Sequence, residues 1–237
     1  KGSTPDTTAP DAPKINTVGA SNVINAAAKA AGVTISGTAE ANSTVTVTWG
    51  TATATATTNA SGVWTTTVTG TSVPTDGNTN IVASAKDAAG NKSIDATLAV
   101  KVDTQSPTAP VINTVSSDNI VSGSEKTAGV VVSGTAEVGA SVAVTWGTVV
   151  KTVTANSSGA WTTTFAAADV PADAASTSIS AVATDVAGNV GSVASKSVAV
   201  DTLLPQTPQI TAVASDDRVN TAEKSAGITV TGTSEAG

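Results

Sequence analysis

The chain has 237 residues, a formal net charge of −7, and no Cys, His, Met or Tyr. Those absences exclude disulfides, the Ser-His-Asp and Cys-His catalytic arrangements and an ordinary zinc site, so no enzyme activity is expected. The acidic balance argues against nucleic acid, which requires a basic face, and no apolar run approaches the roughly 20 residues of a membrane-spanning helix.

Residues 1–5 read as the tail of a preceding linker. Asp6-Thr7-Thr8-Ala9-Pro10 then opens a unit that returns as Asp103-Thr104-Gln105-Ser106-Pro107 and as Asp201-Thr202-Leu203-Leu204-Pro205. Trp49 and Trp146, Trp64 and Trp161, Asp87 and Asp185 keep the same step. A solenoid unit usually spans roughly 20–50 residues, so a period of this length predicts a whole small domain. The predicted organisation is residues 6–102, then 103–200, then 201–237 as the truncated start of a third copy.

Within one unit a helix of at most two turns is expected at Asn25–Ala31, with counterparts at Ser124–Ala128 and Ala222–Ala226. Strands dominate the rest, marked by period-2 alternation. Val33 and Ile35 alternate with Thr34 and Ser36. Val45, Val47 and Trp49 alternate with Thr44, Thr46 and Thr48. Trp64, Thr66 and Val68 share a face, matched by Trp161, Thr163 and Phe165. Ile81, Ala83 and Ala85 follow, matched by Ile179, Ala181 and Ala183, and Val100 and Val102 close the unit. Turn signals separate these runs at Gly37, Asn42, Gly50, Asn59–Gly62, Asp76-Gly77-Asn78 and Ala89-Gly90-Asn91. About seven short strands, each with one apolar and one Thr/Ser face, predict an all-β fold of tandem immunoglobulin-like sandwiches. The Trp residues lie in phase with Val and are expected in the core.

The strings SGTAE, VTVTWG, NASGVWTTTV, DAAGN and VDTQSPTAP, in that order, resemble the bacterial Ig-like repeats of giant surface adhesins, including biofilm-associated and type I-secreted repeats-in-toxin adhesins. The resemblance covers both full copies and the start of the third. It implies domains arranged end to end as a rod, an extracellular, cell-surface stalk that projects a binding tip for adhesion and biofilm formation. The partners it implies are neighbouring repeats of the same chain, with a surface or glycan ligand at a distant tip. Several members bind Ca²⁺ at or near domain junctions.

The acidic residues can be asked about Ca²⁺ independently, since that ion takes six to eight oxygen ligands. In a sandwich of this kind, the turn after the second strand and the turn between the last two lie at the end where the chain comes in. Asp6, Glu40 and Asp87 are expected to gather there in the first copy, and Asp103, Glu137 and Asp185 in the second. Asp201 and Glu235 are the third copy's equivalents. A second set lies between the first two strands, facing the next linker: Asp118 and Glu125 in the second copy, Asp216, Asp217 and Glu223 in the third. The first copy has Ser21, Asn22 and Ala28 there. The expectation is structural Ca²⁺ at one or more junctions, bound more fully at Asp201 than at Asp103. The alternative is that these carboxylates cap turns. Alternatives to the stalk are an S-layer or sheath unit, and a carbohydrate- or ice-binding module using the exposed Thr rows.

Overall fold

A computed structural model describes residues 4–235. The first repeat comprises β1 (Lys14–Ile15), β2 (Val23–Ile24), α1 (Ala26–Ala31), β3 (Val33–Thr38), β4 (Thr44–Trp49), β5 (Ala52–Thr57), β6 (Val63–Val68), β7 (Gly77–Lys86) and β8 (Ala96–Val102). The second repeats the order: β9 (Val111–Ile112), β10 (Ile120–Ser122), α2 (Gly123–Ala128), β11 (Val130–Thr135), β12 (Ser141–Trp146), β13 (Val149–Thr154), β14 (Ala160–Phe165), β15 (Ala174–Thr184) and β16 (Ala194–Asp201). The chain continues through β17 (Gln209–Val213), α3 (Thr221–Ala226) and β18 (Val230–Thr233).

Each full repeat is a two-sheet sandwich. The first sets the sheet β1-β3-β6 against β2-β8-β7-β4-β5, and the second sets β9-β11-β14 against β10-β16-β15-β12-β13. Pairing is antiparallel except for β2 with β8 and β10 with β16. The strand count is eight per full repeat. The short β1 and β2 lie outside the alternating runs, and β5, with the sequence ATATAT, has no large residue to announce a buried face.

Alternation does what the sequence predicts. Val45, Val47 and Trp49 are fully buried, and Trp64 is 1% exposed. They meet Ile35, Ile81 and Val102 in one core, while Trp146, Trp161, Phe165 and Ile179 anchor the other. Trp146 and Phe165 pack edge to face, ring centroids 5.5 Å apart. The three helices form at the expected places. Asn25, Ser122 and Asn220 cap them through their side chains, each accepting first-turn N–H groups that a helix leaves unpaired. Lys29 and Lys126 pin the first two by donating to the carbonyls of Pro74 and Pro171, both at 2.9 Å.

Gly37 does not mark a turn. It lies inside β3, where a Cβ would collide with the carbonyl oxygen of Lys14 and with the Trp64 ring. Gly134 is held in the same way by Val111 and Trp161. In both, the glycine lets a short neighbouring strand close over the tryptophan.

Candidate functional site

The junction between the two full repeats ties two of the residues that the acidic pattern singles out, Asp185 and Asp103, through a single asparagine. The turn after β15 runs Asp185 to Asn189. Asp185 is only 8% exposed and Asn189 4%. Asp185 Oδ1 accepts from the Asn189 backbone N–H at 2.8 Å, and its Oδ2 from Asn189 Nδ2 at 2.8 Å. The same Nδ2 reaches the Asp103 carbonyl in the linker at 2.9 Å. Asn189 Oδ1 accepts from the backbone N–H of Ala26, the first residue of α1 in the preceding repeat, at 2.9 Å. One amide side chain thus ties the turn, the linker and the neighbouring domain. Burial works to raise the Asp185 pKa, but the donors from Asn189 and from the turn backbone outweigh it and leave the carboxyl below its ordinary range.

The first repeat builds the same turn. Asp87 accepts from the backbone N–H groups of Gly90 and Asn91 and from Asn91 Nδ2, and Asn91 Nδ2 also reaches the Asp6 carbonyl at 3.2 Å. The Asn91 amide, with the turn N–H groups, holds the Asp87 pKa down. Asp6 Oδ1 accepts from the Thr8 N–H, which closes a turn at the head of its linker.

Glu40 and Glu137 flank these turns. Their backbone carbonyls accept from Ser43, Thr58 and Ala140. Lys101, at the downstream end of β8, lies among the second repeat's acids: Nζ is 2.8 Å from Asp103 Oδ2. That contact holds its ammonium above the ordinary lysine range, and Asp185 and Glu137 add to the attraction. The corresponding residue one repeat later is Ala199.

The remaining acidic candidates have local partners. Glu125 Oε2 accepts from the backbone N–H and hydroxyl of Ser122, and Glu223 Oε2 from the Asn220 N–H; both complete capping boxes. Asp118 accepts from Ile120 N–H, and Asp216 from Arg218 N–H. Asp217 occupies the place of Asn22 and Asn119. All three have positive φ and accept from the N–H four residues earlier, on Val213, Val18 and Val115. Asp201 accepts from Leu203 N–H, and Glu235 from Gln206 N–H.

These contacts bear on whether the residues present suit Ca²⁺. Among the described residues no three carboxylates stand close enough together to hold a metal ion. At the Asp103 junction an ammonium contacts one carboxylate, and the backbone N–H and side-chain amide of Asn189 each take one oxygen of another. As arranged, that set does not fit the ion.

Sequence reasoning missed two features. Asn91 and Asn189 carry the linker, yet each looked only like the end of a turn. Asp76 reads in the sequence only as part of a turn and Asp173 passes unnoticed, although both fasten the outgoing linkers through Thr104 and Thr202. The signal available was the recurrence of each Asp and Asn at the repeat spacing.

Residues 16–104 match the family model of the bacterial Ig-like domain. Residues 106–201 match that of the bacterial Ig domain. No curated protein matches the chain. Among solved structures, one of a Ca²⁺-stabilized adhesin that helps an Antarctic bacterium reach out and bind ice is 31% identical, with a TM-score of 0.52, covering 98% of this chain and 59% of that one. Another, from a 1.5-MDa bacterial ice-binding adhesin, is 25% identical with a TM-score of 0.46, covering 95% and 77%. An immunoglobulin-like domain of the M. primoryensis ice-binding adhesin is 32% identical with a TM-score of 0.32, covering 40% and 100%. The chain therefore spans 59% of the length of the first of these relatives.

Proposed function

The chain belongs to the bacterial Ig-like domains, one spanning residues 16–104 and a second 106–201, and from that premise we propose that it is an extender segment of a large cell-surface adhesin, a stalk whose repeats carry a distant binding tip away from the cell. The observation that carries this reading is the linker. Asp76 holds Thr104 at the downstream end of the first repeat, and Asn189 holds Asp103 at the upstream end of the second. A linker fastened on both sides transmits length, whereas a free one lets neighbouring domains fold back on each other. The 31% identity to an adhesin described as reaching out to bind ice supports the role of a spacer. A stalk acts outside the cell, and in this reading it contributes reach to adhesion and biofilm formation and catalyses nothing.

Small-angle scattering tests this. The maximum dimension should grow in proportion to repeat number when further copies are joined in tandem. Compact particles, or lateral sheets of the purified chain, would sink the stalk and favour a surface-layer unit.

Ca²⁺ enters this reading at the Asp201 junction. Asp118, Glu125 and Asp201 bear on that linker with Ala199 in the place of Lys101; they do not stand as a ready cluster, so an ion would have to draw them together. Each of the three keeps a carboxylate oxygen outside its local hydrogen bonds. Support comes from the first relative, described as a Ca²⁺-stabilized adhesin. Calorimetric titration decides it: binding heat that disappears in Asp201→Asn is the expected result, and no heat removes Ca²⁺ from the proposal.

A further inference from the structure

We infer that the junction between the first and second repeats is a latch closed by the protein's own groups, the Asn189 amide and the Lys101 ammonium, and that it keeps its geometry without a divalent cation. The inference goes beyond the extender reading and rests on it only for the purpose such a latch would serve.

Every N–H of Asn189 is committed, and both of its carbonyl oxygens accept. Nδ2 donates to Asp185 Oδ2 and to the Asp103 carbonyl, and Oδ1 accepts from Ala26. Its backbone is committed too, since N–H donates to Asp185 Oδ1 and the carbonyl accepts from the Asp185 N–H. At 4% exposure these bonds are shielded from competing water.

The donor across the junction is specific. Ala26 opens α1, and Asn25, which precedes it, caps Ala28 rather than Ala26. The Ala26 N–H would otherwise be one of the orphan donors of a helix start. The turn is also shaped for the approach. Gly188 has a φ of +91°, and a Cβ there would stand 3.0 Å from Asn25 Nδ2. Gly191 admits Pro107 of the linker, whose carbonyl oxygen would lie 2.5 Å from an added Cβ. A side chain at either position would press on the preceding repeat or on the linker.

Lys101 supplies the charge that a cation would bring. Its Nζ lies 2.8 Å from Asp103. That contact is local, two residues along the chain, but the ammonium is also attracted to Asp185 and Glu137 of the second repeat, and this attraction crosses the boundary. A divalent ion entering here would meet an ammonium already seated and two Asp185 oxygens already accepting hydrogen bonds.

The test uses the whole chain, which has no cysteine of its own. Spin labels at Thr55→Cys and Thr152→Cys, both exposed strand positions, report the distance between repeats by pulsed electron resonance. The expected distribution is narrow and the same with Ca²⁺ as with chelator. Asn189→Ala should lose that narrowness in both conditions. Ala26→Pro replaces the donated N–H with a ring methylene facing Asn189 Oδ1, and proline is well suited to a helix's first position, so it should widen the distribution with both repeats still folded. If Asn189→Ala melts the second repeat, read from Trp146 and Trp161 fluorescence, Ala26→Pro decides alone. A wild-type distribution that is broad in chelator and narrow in Ca²⁺ overturns the latch and leaves the extender standing. An Ala26→Pro distribution as narrow as wild type also overturns the latch. Short, folded-back distances in every condition overturn the latch and the extender together.

Discussion

Thr104 gives Asp76 both its backbone N–H, at 3.1 Å, and its hydroxyl, at 2.8 Å. The first residues past β8 are thereby fixed to the repeat they leave. Asp173 takes the Thr202 hydroxyl at 2.7 Å in the same role. Asp76→Ala should free this segment without unfolding either sandwich, because the carboxylate lies outside both cores. Nitrogen-15 relaxation should show a lower order parameter at Thr104 with the β8 amides unchanged. An unchanged Thr104 would mean that Asn189 alone sets the linker.

The same carboxylate makes a pH prediction. The Thr104 hydroxyl and N–H hold the Asp76 pKa below the ordinary 3.8, and the Lys151 ammonium, aided by the Ala166 N–H, does so for Asp169. A carboxyl depressed by folding stabilises the native chain above its unfolded pKa, and that contribution is lost as pH falls through the folded value. The melting temperature should therefore hold from neutral pH to about 5 and then fall through and below 3.8. Asp169→Asn should show a shallower fall by calorimetry.

The tryptophans separate the two repeats. Trp146 Nε1 donates to Thr177 Oγ1 at 3.0 Å, while the buried Nε1 atoms of Trp49, Trp64 and Trp161 have no partner. Thr79 holds the place of Thr177 in the first repeat, since the two pair with Val100 and Val198. Thr177→Val should cost the second repeat about 1–2 kcal/mol, the penalty of a buried donor left unpaired. Thr79→Val should stay within about 0.5 kcal/mol. Comparing the two by thermal denaturation of the whole chain checks the assignment.

Ser43 and Thr58 form a buried polar pair in the first repeat, both donating to the Glu40 carbonyl, at 2.7 and 2.6 Å. The second repeat has Ala140 and Ala155 there, both buried. Thr58→Ala alone should cost about 1 kcal/mol, because it removes the hydroxyl that accepts from the Ser43 backbone N–H. The double variant Ser43→Ala with Thr58→Ala should recover most of that loss, since it reproduces the apolar pair of the second repeat, where the Ala140 N–H donates to the Glu137 carbonyl instead. Hydrogen exchange in the first repeat, referenced to the second, measures both.

Much of the fold was legible because it is local. Alternation of Val and Trp with Thr fixes which face of β4 or β12 is buried, and that periodicity survives any placement of the strands. The helix starts are equally local: Asn25 and Ser122 bond to N–H groups three residues away. β1 was not legible, because its two residues count as a strand only through their pairing with Gly37 and Thr38. Gly37 itself read as a turn because the reason for a glycine there is the nearness of Lys14 and Trp64.

The candidate site divides along the same line. Composition and repetition by themselves determined a chain of tandem sandwiches with carboxylates recurring at each boundary, since burial pattern and period are properties of the sequence. Only the tertiary structure decided what those carboxylates do. Glu125 bonds Ser122, three residues before it, to close the cap of its own helix, Asp76 reaches a linker 28 residues on, and Asn189 meets Ala26 from 163 residues away. A hydrogen bond needs its donor within about 3 Å of its acceptor and in line with it. Folding alone sets that distance between residues so far apart along the chain.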